Sequence, residues 1–177
     1  VLLILTTQPK FLFGSEQADR WMDFLGIGVA CVGQICRALA VGQADNIRRG
    51  GRKKKVAAKR LITYGVYAHT RNPIYLGNLL IIIGLGLIAN NYWWYLVMLP
   101  PFAAVYWSII SAEEEFLSRQ FGQEYADYCQ SAPRLLPRLS GLWRSCTESS
   151  FDWQRVLRKE YSTACSGMTM TTGLLIW

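Results

Sequence analysis

A single histidine, His69, and five cysteines without one Cys-x-x-Cys pair leave little from which to build a metal centre of nitrogen and sulfur ligands. The cysteines, at 31, 36, 129, 146 and 165, are odd in number and scattered, so no disulfide framework is expected. Charge is scarce too: 18% of the 177 residues are charged, against about 25% in ordinary soluble domains. No Gly-x-Gly-x-x-Gly follows a strand pattern, and there is no phosphate loop, nucleophile elbow or internal repeat. A soluble Rossmann-type enzyme is thereby excluded.

The scarcity of charge has a pattern. From Asn72 to Ala112 there is no Asp, Glu, Lys, Arg or His. A helix crosses a bilayer in roughly 20 apolar residues, so this stretch is long enough to cross twice. Asn90 and Asn91 in its middle suit a turn, and Tyr92, Trp93, Trp94 and Tyr95 suit an interfacial aromatic belt. The reading is a helical hairpin: a helix over 73–89, a tight turn, and a return over 92–111. Between Asp23 and Asp45 the only charge is Arg37, so 24–44 is a third crossing, with Arg37 snorkelling to the interface. The chain starts Val1-Leu2-Leu3-Ile4-Leu5 without a Met and ends at Trp177, in an apolar segment that opens near Tyr161. Both ends are expected to be cut transmembrane helices. Residues 153–160 read as a basic amphipathic connector to the last of them.

The expected fold is all-α: a multi-pass transmembrane helical bundle with a helical hairpin and a cytoplasmic amphipathic C-terminal segment. One domain is expected over 1–177. N-terminal helices and a basic loop occupy 1–60, a cofactor-binding core 61–139, and a connector with the start of a further membrane helix 140–177.

The net charge of +7 is concentrated. Arg48, Arg49, Arg52, Lys53, Lys54, Lys55, Lys59 and Arg60 fall in one short loop. Short cytoplasmic loops are rich in Lys and Arg, so the loop reads as a topology signal, with contact to anionic lipid head groups over 48–60 and no nucleic-acid partner. This places the 45–71 loop and the 113–160 region in the cytoplasm and the Asn90-Asn91 turn outside. Arg119, Arg134, Arg138, Arg144, Arg155, Arg158 and Lys159 in the tail agree.

Two polar clusters flank the uncharged hairpin. Pro73 suits the first position of a helix, where its missing N–H costs nothing. Arg71 and Asn72 then stand at the mouth, with Tyr75, Gly77 and Asn78 in the first turns. The positive end of that helix, together with Arg71, suits the carboxylate of an amino-acid-like cofactor. The second cluster opens with Glu113, Glu114 and Glu115. Leu117, Phe121, Tyr125 and Tyr128 then recur at spacings of four, four and three, an amphipathic helix suited to a membrane surface. These carboxylates suit ribose hydroxyls or an amino group. They equally suit an ordinary solvated helix start, and the residues alone leave both readings open.

Gly65-Val66-Tyr67, Arg71-Asn72-Pro73-Ile74-Tyr75-Leu76-Gly77, the apolar hairpin, Glu113-Glu114-x-x-Leu117-x-x-x-Phe121-Gly122-x-x-Tyr125-x-x-Tyr128 and Pro133 to Pro137 stand in one order. In this order and spacing the region 61–139 resembles the membrane methyltransferases related to isoprenylcysteine carboxyl methyltransferase and phospholipid methyltransferases. The resemblance implies S-adenosylmethionine as cofactor, bound between hairpin and tail. A lipophilic methyl acceptor is implied with it: a prenylcysteine carboxylate, a phospholipid amine or similar. Carried over by position, the cofactor-binding set is Gly65, Tyr67, His69, Arg71, Asn72, Pro73, Tyr75, Gly77, Glu113 and Glu114. Arg71, Asn72 and Glu114 are its catalytic members. Asn72 stands where many relatives have His, and an amide carries no proton at neutral pH. His69, three residues earlier, either substitutes for it or caps the chain and faces water. Gly84 and Gly86 match a Gly-x-Gly element of phospholipid methyltransferases, or else let helices pack closely. Two other classes fit less well. A sterol- or steroid-type membrane reductase using NADPH has a similar Arg-x-Pro-x-Tyr-x-Gly segment, but with Asn where this chain has Ile74. A membrane scaffold without activity would explain Asn72.

Overall fold

The computed structural model describes residues 16–44, 60–90 and 92–176, and among them every regular element is helical. In chain order these are α1 (Glu16–Gln43), a 3₁₀ turn (Gly65–Ala68), α2 (Pro73–Ala89), α3 (Tyr92–Phe121), α4 (Gln123–Ser131), α5 (Leu142–Glu148) and α6 (Trp153–Ile176). The expectations for the basic run up to Lys59, for the first apolar residues of the chain, for Asn91 and for Trp177 lie outside the described residues.

α1 and the stretch Trp93–Phe121 of α3 are long and apolar enough to cross a membrane, and α2 is a shorter apolar helix of 17 residues. α1 opens at Glu16, earlier than its apolar run suggests. Glu16 and Asp19 sit in its first turn, where acidic side chains favour a helix N-terminus. Loss of hydropathy marks a boundary of solvent, not of helix.

Glycines set the contact between α1 and α2. A Cβ on Gly26 would meet the Gly84 carbonyl at 2.7 Å, and one on Gly33 would meet the Gly77 carbonyl at 2.6 Å. The pairing of 26 with 84 and 33 with 77 makes the helices antiparallel, with backbones in direct contact, as small residues permit between apolar helices. Gly77 and Gly84 therefore serve helix packing in this fold. Gly86 packs against Trp94 and Tyr95 instead.

The hairpin forms as expected. α2 spans Pro73–Ala89 and ends on Asn90 at φ 43°, a left-handed position that asparagine tolerates better than most side chains. Trp94 Nε1 donates to the Ile82 carbonyl at 3.1 Å, and Asn90 Nδ2 to Asp19 Oδ1 at 2.6 Å. The start of α1 and the hairpin turn thus share one end of the bundle.

α3 differs from expectation. It does not stop near residue 111 but continues through the acidic triplet to Phe121, a length of 30 residues. Alanine and glutamate propagate a helix well, so nothing interrupts it before Gly122 at φ 52°. Pro100 and Pro101 lie inside it, as apolar membrane helices allow. Past Gly122, α4 folds back through Tyr125 and Tyr128, which are buried with Leu61 and Ala132. α6 is likewise continuous across the expected connector.

Candidate functional site

The segment from Tyr64 to Asn72 gathers at the end of the bundle opposite the hairpin turn. Gly65 adopts φ 62°, and a Cβ there would lie 2.3 Å from the Gln43 side-chain oxygen. Gln43 is fully buried; its Oε1 accepts the Val66 N–H at 2.8 Å and its Nε2 donates to the Cys146 carbonyl at 3.1 Å. Tyr67 donates its hydroxyl to the Ala40 carbonyl at 3.3 Å, and Tyr128 donates to the Tyr67 carbonyl at 2.8 Å. Burial pushes the Tyr67, Tyr125 and Tyr128 phenols well above their usual value, so all three stay neutral.

The stretch after α4 is sewn to the same segment. Arg71 N donates to the Pro133 carbonyl (2.9 Å), Thr70 Oγ1 to the Leu135 carbonyl (2.9 Å) and Arg138 N to the His69 carbonyl (3.1 Å). His69 itself is buried. Its Nδ1 lies 2.7 Å from the Arg138 carbonyl and its Nε2 2.9 Å from Ser145 Oγ. It does not face water: Nε2 ties the segment to α5 through Ser145, and Nδ1 ties it to the stretch before α5 through the Arg138 carbonyl.

The fold brings Arg71, Asn72 and Glu114 together. Arg71 Nη2 lies 3.5 Å from Glu114 Oε1, and Asn72 Nδ2 lies 3.5 Å from the same oxygen and 2.9 Å from the Arg134 carbonyl. Arg71 Nη1 also contacts Cys129 Sγ. Pro73 opens α2 at its first turn. Glu113, one residue earlier on α3 and so about 100° around the helix, faces elsewhere: its Oε1 accepts the Tyr75 hydroxyl at 2.9 Å. The Tyr75 ring packs on Tyr106, with centroids 5.5 Å apart. The adjacent acids therefore serve two different groups.

Sequence reasoning missed one member of this cluster. Arg134 Nε lies 3.0 Å from Glu114 Oε2, its Nη2 donates to Ser111 Oγ at 2.8 Å, and its guanidinium sits 4.0 Å above the Trp107 ring. Trp107, Ser111 and Glu114 share one face of α3 by their spacing, and the Pro133-to-Pro137 motif marked the neighbourhood without marking the arginine. Arg71 Nε and Arg134 Nε are buried without a hydrogen bond; the approach of Arg134 Nε to Glu114 is a charge contact outside hydrogen-bond geometry. Such donors suit an anionic oxygen.

Arg37 does not snorkel. It is largely enclosed between α1 and α6, with its side chain 12% exposed, and its Nε and Nη2 each donate to Glu160 at 2.9 Å. Gln34 Nε2 adds 3.1 Å to the same carboxylate, and Arg37 Nη1 reaches Asn78. An inward acid on α6 satisfies the charge locally, so the side chain has no need to reach water. The heavily basic segment around Glu160 concealed it in the sequence.

The sequence profile of the family described as phospholipid methyltransferase matches residues 22–124. The chain is 34% identical to the cobalt-zinc-cadmium resistance protein CzcN of Cupriavidus metallidurans over 74% of its length and 58% of that protein's. It is 33% identical to the nickel-cobalt-cadmium resistance protein NccN of Alcaligenes xylosoxydans xylosoxydans, over 74% and 58%. With the protein-S-isoprenylcysteine O-methyltransferase of Tribolium castaneum it shares 29% identity over 74% of this chain and 47% of that one. The chain thus matches about half the length of these curated relatives. No solved structure matches it significantly.

Proposed function

The chain belongs to the phospholipid methyltransferase family, and from that premise we propose that it transfers a methyl group from S-adenosylmethionine to a lipophilic acceptor at the cytoplasmic face of a membrane it crosses several times. A prenylcysteine carboxylate, named in the Tribolium castaneum relative, or a phospholipid amine, named in the family, is the kind of acceptor meant. The basic 45–71 loop and the 113–160 region lie on the cytoplasmic side by their Lys and Arg content.

One observation carries the reading. Two arginines converge on Glu114 at the mouth of α2, Arg134 through its Nε and Arg71 through its Nη2, which leaves the buried Arg71 Nε as a donor without a hydrogen bond. An amino-acid carboxylate is an acceptor suited to such a guanidinium donor, and acidic oxygens stand beside it for an ammonium or ribose hydroxyls. The residues present therefore fit S-adenosylmethionine. Arg71 and Asn72 would hold its carboxylate end, while Glu113 and Glu114 would take its ammonium or ribose. Gly65, Tyr67, His69 and Pro73, whose contacts are made within the protein, would position the segment that carries Arg71 and Asn72, and Gly77, packed on α1, would set where α2 stands.

When bound, the sulfonium supplies an electrophilic methyl carbon for direct displacement by an acceptor oxygen, nitrogen or sulfur. The protein's share is alignment and exclusion of water. Tyr75 fixes the Glu113 carboxylate, and Arg134 with Arg71 fixes Glu114. Asn72 orients by hydrogen bonding and moves no proton. A carboxylate or thiolate acceptor needs no base, whereas an amine must first lose its proton.

Calorimetric titration of the detergent-solubilised protein with S-adenosylhomocysteine, and with NADPH in parallel, tests this. Binding of S-adenosylhomocysteine that weakens at least about tenfold (1.4 kcal/mol) in Arg71→Ala and Glu114→Gln supports it. Binding of NADPH alone overturns it in favour of a reductase.

A further inference from the structure

Leu136, Leu139 and Trp143 are 77%, 76% and 83% exposed, within one short stretch that includes the start of α5. Water-facing side chains of this size in one place mark an interaction surface. The exposed Arg138 and Arg144 are interspersed with them, while Arg134 turns inward to Glu114 and Ser111. Large apolar side chains alternating with arginines suit the boundary between acyl chains and anionic head groups, where Trp is favoured and arginine reaches out to phosphate.

The depth of the stretch agrees. Arg134 bonds Ser111 and lies over Trp107, at the end of α3's uncharged run. That run presents Phe102, Val105, Trp107 and Ile109 outward, so an exposed apolar surface leads along α3 directly to the Arg134 stretch. A surface continuous with the apolar run of α3 fits lipid better than a soluble partner.

We propose that residues 134–143 form a membrane anchor, with Leu136, Leu139 and Trp143 inserted at the acyl boundary of an anionic bilayer. The proposal rests on the reading of α1 and α3 as membrane-crossing helices. Its consequence for the candidate site is direct. The anchored stretch is hydrogen-bonded to His69, Thr70 and Asn72, so it holds the mouth of α2 at the depth where the polar end of a lipophilic acceptor sits.

The test is fluorescence of the whole chain in phosphatidylcholine–phosphatidylglycerol vesicles. The contribution of Trp143 is taken as wild type minus Trp143→Phe. Quenching of that contribution by lipids brominated near the head-group end of the acyl chain, with protection from aqueous iodide, supports the anchor. Quenching by iodide and not by brominated lipid overturns it. In the double variant Leu136→Asp with Leu139→Asp, the lipid-quenched fraction should fall at least about tenfold, since each leucine loses more than one decade of partition free energy. The double variant should titrate S-adenosylhomocysteine as the wild type does. If the wild type fails to bind S-adenosylhomocysteine while Trp143 is still quenched by lipid, the methyl-transfer reading falls and the anchor stands.

Discussion

Replacing Glu160 by leucine should destabilise the bundle more than replacing both Glu160 and Arg37. The side chains of Arg37 and Glu160 are only 12% and 6% exposed and meet through two bonds of 2.9 Å. Glu160→Leu, close to isosteric, removes the acceptor for two guanidinium nitrogens and for Gln34. It leaves a largely enclosed cation without its carboxylate counter-charge. Removing one member of a buried pair costs about 3–5 kcal/mol. In Arg37→Leu with Glu160→Leu no charge is left behind, and the cost reduces to the unmet amides of Gln34 and Asn78, about 1 kcal/mol each. The double variant should therefore be more stable than the single one by about 1–3 kcal/mol. Equilibrium unfolding by sodium dodecyl sulfate in mixed micelles, followed by circular dichroism, reads the difference. If the effects of Glu160→Leu and Arg37→Leu simply add to within about 0.5 kcal/mol, the two side chains do not interact and the reasoning fails.

Gly33→Leu should cost at least about 3 kcal/mol in the same assay, because the first added carbon already overlaps the Gly77 carbonyl and a backbone cannot yield as a side-chain tip does; Gly28→Leu, where an added Cβ meets nothing within 4 Å, should change stability by less than about 0.5 kcal/mol. Gly65→Ala combines a left-handed φ with a collision at Gln43 and should cost about 2–3 kcal/mol, whereas Gln43→Ala with Gly65→Ala relieves the collision and leaves the strain; chemical unfolding of the three proteins separates the terms. Tyr67 and Tyr128 have phenols raised above the unfolded value of about 10, so their neutral forms stabilise the fold fully below that pH, and stability should fall as pH rises past it. Thermal melts across that window should show a smaller alkaline loss in Tyr128→Phe; an identical alkaline profile in the variant contradicts the assignment.

Much of the hairpin was visible in the sequence because its signals are local. An uncharged run, a proline that opens a helix and an asparagine that turns left-handed each act through their own backbone, and α2 begins and ends where they stand. The end of α3 was misplaced for a related reason. Glutamates change the preferred solvent of a helix without breaking it, while Gly122, at positive φ, does break it. Arg71, Asn72 and Glu114 were recognisable as a set through their motifs, and the fold brings them together. Arg134 was not, because its value lies in contacts with Trp107, Ser111 and Glu114, which are distant in sequence.

What this sequence determined alone is the helical class and the apolar lengths, together with the residue types available at the mouth of α2. These follow from backbone propensity and from the cost of charge in an apolar medium. Which glycines bear a neighbouring helix, which of two adjacent acids meets Tyr75 and which meets the arginines, and that Arg37 closes on Glu160 were settled by tertiary structure. Side-chain direction depends on where the other helices stand, and charges far apart in sequence find one another only once the helices have packed.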